Sequence, residues 1–127
     1  MAEFTNGSPM KSLFAAALLT FTLPSLAGLQ CAGSEPFWEI TTKTTREGDF
    51  LMFKAPDAEN PVALKLMART DAHGYDPDNM TVYKTKYSTL TVIRGECRDS
   101  LLDDEYTHYA VFQNHPRVWG GCCNITE

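Results

Sequence analysis

Four cysteines, two of them adjacent, set the tightest limit on how this chain can fold. Cys122 and Cys123 lie about 3.8 Å apart at Cα across a trans peptide, below the ~4.4–6.8 Å usual for a disulfide. Each therefore needs a distant partner, and Cys31 and Cys97 are the partners available. Two long-range connectivities remain open at this point. A zinc site would want Cys-x-x-Cys pairs or histidines at ligand spacing, and neither is present. Four cysteines in about 100 mature residues indicate two disulfides and an oxidising compartment.

The rest of the chain is patterned for strands. Val62, Leu64, Leu66 and Ala68 share one face of an alternating run, with Ala63, Lys65, Met67 and Arg69 on the other. Thr81, Tyr83, Thr85 and Tyr87 alternate with Val82, Lys84 and Lys86. Thr89–Arg94 and Tyr106–Gln113 are rich in β-branched and aromatic residues. Turn signals separate these runs at 47–49, 57–61, 71–79, 94–96 and 114–116. A single turn of helix is expected around Asp99–Glu105, and no segment shows a capped 3.6-residue stripe. The expectation is an all-β domain: a small antiparallel meander of seven to eight short strands, closed as a barrel and stapled by disulfides.

At the N-terminus, Lys11 supplies a positive charge and Ser12–Leu23 an apolar run. Pro24 then breaks any helix, and Ser25-Leu26-Ala27 offers small residues at the −3 and −1 positions. This is the pattern of a secretory signal peptide cleaved after Ala27. About 12 to 14 apolar residues are too few to span ~30 Å of hydrocarbon, so the mature form is expected to carry no transmembrane span. Lipidation at Cys31 would want a small residue before it, and Gln30 stands there. Residues 1–9 resemble a cloning leader with Met10 as the natural start, Met1 being the alternative. The expected organisation is a leader over 1–9, a signal peptide over 10–27 and one domain over 28–127, located in the periplasm or secreted.

Composition narrows the function classes. Apolar residues at 43% and charged residues at 21% are those of a globular chain, not a disordered one. The net charge of −5, without a basic stripe, excludes a nucleic-acid partner. It suits a basic protein partner instead.

The motif that stands out is Gly33-Ser34-Glu35-Pro36-Phe37-Trp38. Gly33 frees the backbone, Pro36 fixes φ, and Phe37-Trp38 places two large aromatics on opposite faces of a strand. One aromatic can plug the barrel end while Glu35 bonds a local group; alternatively, Glu35 and the outward aromatic form a binding surface. With Cys97-Arg98-Asp99, Tyr106 and Gly121-Cys122, the motif resembles a group of bacterial envelope proteins of unassigned activity, many of them lipoproteins. Their signature is Gly-Thr/Ser-Glu-Pro-Phe-Trp, followed by Cys-x-Asp, a Tyr and a terminal Gly-Cys. Leu101-Leu102 stand where the family usually carries a small Met-Ser turn. The resemblance implies an envelope location and a small β fold. It also implies a Cys97–Cys122 bridge, which leaves Cys31 to Cys123. Compact barrels of the envelope include lysozyme inhibitors and stress-linked outer-membrane proteins, an analogy of fold alone.

Other chemistry is sparse. His73, His108 and His115 form no ligand pair; the first and last sit in turn regions, and His108 shares a strand face with Tyr106, Ala110 and Phe112. The acidic stretch Asp71, Asp76, Asp78 and Asn79 misses the alternate spacing of a calcium loop. The sequons at Asn79 and Asn124 carry no meaning in a bacterial protein. No nucleophile elbow or haem motif is present. The expectation is therefore a non-enzymatic binding protein of the envelope without cofactor or metal, its partner a protein or small molecule in the envelope or outside the cell. Glu35, Trp38, Asp99 and Tyr106 are the candidate binding residues, and no catalytic residue is assigned. The alternative is a small envelope enzyme or metal handler built on Glu35, Asp99 and His108. Intact-mass analysis of exported protein should return a chain starting at Gly28; a retained leader or a diacylglycerol on Cys31 would exclude soluble secretion.

Overall fold

The computed structural model describes residues 28–73, 79–99, 102 and 105–126. The expected leader and signal peptide, and most of the acidic stretch after Asp71, lie outside them. Nine antiparallel strands follow in order: β1 Gly28–Ser34, β2 Phe37–Thr45, β3 Gly48–Lys54, β4 Val62–Lys65, β5 Ala68–Asp71, β6 Met80–Lys84, β7 Ser88–Cys97, β8 Tyr106–Asn114 and β9 Arg117–Thr126. They form one curled, half-barrel sheet in the order β4-β3-β2-β1-β9-β8-β7-β6-β5. Every neighbour is the next strand in sequence, except that the first strand pairs with the last. The domain is all-β as the alternation implies, with a strand count above the expected seven to eight.

The difference in count has a local cause. The run from Val62 to Arg69, expected as one strand, changes partner midway. Leu66 N–H donates to Asp49 O (2.8 Å) on the β3 side, and Met67 N–H donates to Lys84 O (2.7 Å) on the β6 side. One extended stretch thus supplies both sheet edges, β4 and β5, with no ladder between them. Leu64 and Leu66 pack on the core, while Val62 and Ala68 are exposed. Of the helical turn expected over 99–105, the described residues show a single bond, Leu102 N–H to Asp99 O at 3.0 Å.

Two-residue turns at Glu35-Pro36 and His115-Pro116, both with cis prolyl peptides, close the β1–β2 and β8–β9 hairpins. The inward face gathers Leu29, Trp38, Ile40, Leu51, Phe53, Leu90, Val92, Ala110 and Phe112. Phe53, Phe112 and Trp119 pack ring on ring, with centroids 4.7 to 6.1 Å apart, the range in which aromatic pairs attract.

Cys31 and Cys123 are direct cross-strand partners on β1 and β9 and form a disulfide, Cα–Cα 4.0 Å. Cys97 and Cys122 form the second, Cα–Cα 5.7 Å. Both are buried, but Cys123 alone packs in the core cluster, so the adjacent pair serves opposite faces of one strand. With sequence separations of 92 and 25 between partners, the loop-entropy model assigns stabilisations of about 4.6 and 3.5 kcal/mol.

Trp38 explains the glycines around it. Its indole is 1% exposed, and its Nε1–H donates to Gly120 O (3.2 Å) across β1. A Cβ on Gly33 would sit 2.2 Å from that nitrogen, and one on Gly121 would sit 2.2 Å from Ala32 O. Only glycine lets β1 and β9 approach this closely beside the ring. Trp38→Ala should cost ~3–5 kcal/mol in denaturant unfolding, the price of a large buried aromatic. Phe37→Ala, at a side chain 45% exposed, should cost well under half of that. An unchanged midpoint for Trp38→Ala would contradict the packing described.

Candidate functional site

The chain between β7 and β8 meets the outward face of β1 and β9. On β7 three steps separate Arg94 from Cys97, where their partners His108 and Tyr106 on β8 are two apart. That extra residue, in the Gly95-Glu96 region, is a β-bulge. The ring of Tyr109 fills the space a Cβ on Gly95 would need, 2.7 Å from Cε2. Bent by the bulge, the end of β7 comes over the sheet, and Cys97 reaches Cys122 on β9, two strands away.

The described residues at the two ends of the β7–β8 connection are fastened to this face at three points. The first is the Cys97–Cys122 bridge. The second is Ser34 on β1, whose hydroxyl lies 2.6 and 2.8 Å from the two Asp99 carboxylate oxygens and donates to them. The third is Asn124 on β9. Its Oδ1 accepts from Thr107 N–H (3.0 Å), and its Nδ2–H donates to Glu105 O (3.1 Å). Hydrogen bonds to a charged carboxylate are the stronger kind, roughly 1.5–3 kcal/mol net, so the Ser34–Asp99 contact is a firm tether.

Two open clefts result, and Tyr106 borders both. One, of about 300 Å³, lies between the bulged end of β7 and the start of β8, with Arg94, Glu96, Arg98 and Glu105 around it. The other, of about 180 Å³, lies over β1 and β2 with Gln30, Phe37, Glu39, Thr41 and Leu102 at its walls. Arg98 and Glu96 are 3.9 Å apart and largely solvated, a contact of little energetic weight.

Of the four candidate residues, Asp99 is held to outward-facing Ser34, and Tyr106, half-buried, borders both clefts. Glu35 is exposed in the β1–β2 turn. Trp38 faces the core and offers no surface to a partner; its role is to hold β1 and β9 together. Of the alternative set, His108 is 6% exposed on the inward face, and Asp99 is tied to outward-facing Ser34. All four cysteines are bridged, and among the described residues no three His, Cys, Asp or Glu side chains gather to hold a metal. No helix among the described residues is long and apolar enough to cross a membrane. Sequence reasoning missed Ser34 and Asn124. Ser34 lies inside the singled-out motif but looks like any strand serine, and Asn124 drew notice only as a sequon.

Compared with protein-family models, with curated proteins and with solved structures, the chain finds no match. What the geometry defines is an all-β, doubly disulfide-bonded sheet with the ends of the β7–β8 connection tethered on one face.

His108 couples this domain to pH. Burial lowers its pKa below the usual 6.5, and the Arg94 guanidinium beside it adds to the effect. Its Nδ1 lies 2.7 Å from Thr107 Oγ1. The unfolded chain binds this proton first, so stability is lost as pH falls through about 6.5. The thermal midpoint should drop between about pH 7.5 and 5.5, a window in which ordinary carboxylates stay ionised. His108→Gln should flatten that slope; an equally steep slope in the variant would assign it elsewhere.

Proposed function

We propose that this protein is a non-enzymatic binding protein of the bacterial envelope, periplasmic or secreted, that grips a protein partner with the outward surface around Tyr106 and Asp99. The observation that carries the reading is the tethering of the ends of the β7–β8 connection by Cys97–Cys122, Ser34–Asp99 and Asn124. Side chains held in place before binding lose little conformational freedom on association, which favours affinity. Two disulfides and an export-like leader suit an oxidising compartment. The motif resemblance to envelope proteins points the same way.

Charge suggests the kind of partner. Glu39, Glu96 and Glu105 outnumber Arg94 and Arg98 around the clefts, in a chain of net charge −5. A basic protein such as lysozyme fits this balance, by electrostatic steering as much as by contact. A stress-linked envelope role would use the same surface. Against catalysis stand the burial of His108 and the absence of a free thiol.

Mature protein immobilised through its N-terminus should retain a partner from periplasm or host secretions, identified by mass spectrometry, with lysozyme titrated alongside as a basic probe. Tyr106→Ala should weaken that binding at least about tenfold, the scale of an interface aromatic, with a thermal midpoint close to the parent's. A folded Tyr106→Ala protein that binds as tightly as the parent would remove this surface from the reading.

A further inference from the structure

The place where the sheet fails to close is separate from the outward clefts and has the opposite charge. β4 pairs with β3 alone. The Leu66 N–H to Asp49 O bond sets the phase of that ladder: Leu64 and Leu66 direct their backbone groups to β3. Those of Ala63 and Lys65 therefore point the other way, off the sheet edge. They face a groove of about 410 Å³ whose far wall is the β6–β7 turn, Thr85 to Ser88.

That wall keeps its own polar groups occupied. Thr85 N–H donates to Ser88 O (3.0 Å), and Ser88 N–H donates to Thr85 Oγ1 (3.0 Å). Beside Asn114, the groove presents apolar surface from Ala63, Leu64, Met67 and Tyr87, with Met67 65% and Tyr87 77% exposed. Its charged residues are both cations, Lys65 and Lys86. Among the described residues neither has an ion-pair partner, and the Lys86 ammonium lies 5.3 Å from the Tyr87 ring centroid.

A free edge, an apolar groove beside it and two unneutralised cations on an otherwise acidic chain specify an occupant. We propose that the β4 edge takes up an extended acidic segment of a partner protein as an added strand. Its backbone pairs with Ala63 and Lys65, its apolar side chains cover Met67 and Tyr87, and its alternate carboxylates meet Lys65 and Lys86. Strand addition of this kind draws affinity from main-chain bonds and selectivity from alternate side chains. A second copy of this chain is a poor occupant, because it would bring Lys65 and Lys86 against their own counterparts. A lysine on an edge strand, with Pro61 just ahead of it, is also the usual guard against self-pairing.

The test uses two labelled peptides of about eight residues, one alternating Glu with Val and one alternating Lys with Val, titrated into mature protein. The acidic peptide is expected to bind saturably, more weakly as salt rises, and to shift the amide resonances of Ala63 to Met67 and of Lys86 and Tyr87. The basic peptide is expected not to bind. Ala63→Pro removes an edge N–H that β3 does not use, and should weaken the acidic peptide at least about tenfold at an unchanged fold. Lys86→Glu, on an exposed turn, should weaken it similarly and tests the charge without touching the strand. No saturable binding, equal binding of both peptides, shifts confined to the Tyr106 clefts, or binding that survives both substitutions would each overturn the proposal. So would concentration-dependent dimerisation that shifts the same resonances without peptide.

Discussion

The pairing of the first strand with the last is the contact on which the remainder depends. Without β1 against β9, the chain would hold two separate meanders, β1 to β4 and β5 to β9, joined through Leu66-Met67. With it, they become one curled sheet with a common core. A ladder between residues some 90 positions apart carries a large loop-closure cost, and Cys31–Cys123 offsets it by tying the same two strands in the unfolded chain. Trp38 then locks the junction from inside: the indole that fills the core also bonds Gly120 on β9. Gly33 and Gly121 make room for the ring, so the aromatic motif near the start of the domain and the Gly-Cys near its end meet at a single joint.

Much of the fold was legible in the alternation of residues. Leu90, Val92, Ala110 and Phe112 face the core as period-2 patterning requires. The Val62–Arg69 run shows where patterning fails. Its alternation is regular, yet the chain changes partner between Leu66 and Met67, and nothing in residue type marks which edge of a strand is hydrogen-bonded to which neighbour. The face a side chain takes is local information; the ladder its backbone joins is not. The short strand at each sheet edge, and the unclosed seam, follow from that switch.

The site was less legible for a related reason. Trp38 and Phe37 are adjacent aromatics, and the sequence says only that they point to opposite faces; which one is buried depends on the β1–β9 joint. Asp99 follows a cysteine in a polar stretch, and its importance comes from Ser34, 65 residues away. Glu35 remains an exposed turn residue with no contact that gives it a role. His108, on the strand face of Ala110 and Phe112, is buried with them.

The two surfaces differ in how they can recognise anything. Around Tyr106 the backbone is committed: strands on both sides are paired, and the ends of the β7–β8 connection are held by a disulfide and side-chain bonds. Recognition there must come from side chains displayed on a fixed frame, and it favours a folded partner with complementary shape and basic charge. At β4 the reverse holds. Apart from Lys65 the strand's side chains are small or apolar, and the unused capacity lies in the main chain of Ala63 and Lys65. An extended segment, not a folded surface, is what can satisfy that capacity. The two also act on different strands of the sheet, β7 to β9 with β1 and β2 in one case and β4 with the β6–β7 turn in the other. A partner bearing both a basic face and a separate acidic tail would engage both surfaces, and joining two modest contacts in one molecule raises the second to a high effective concentration.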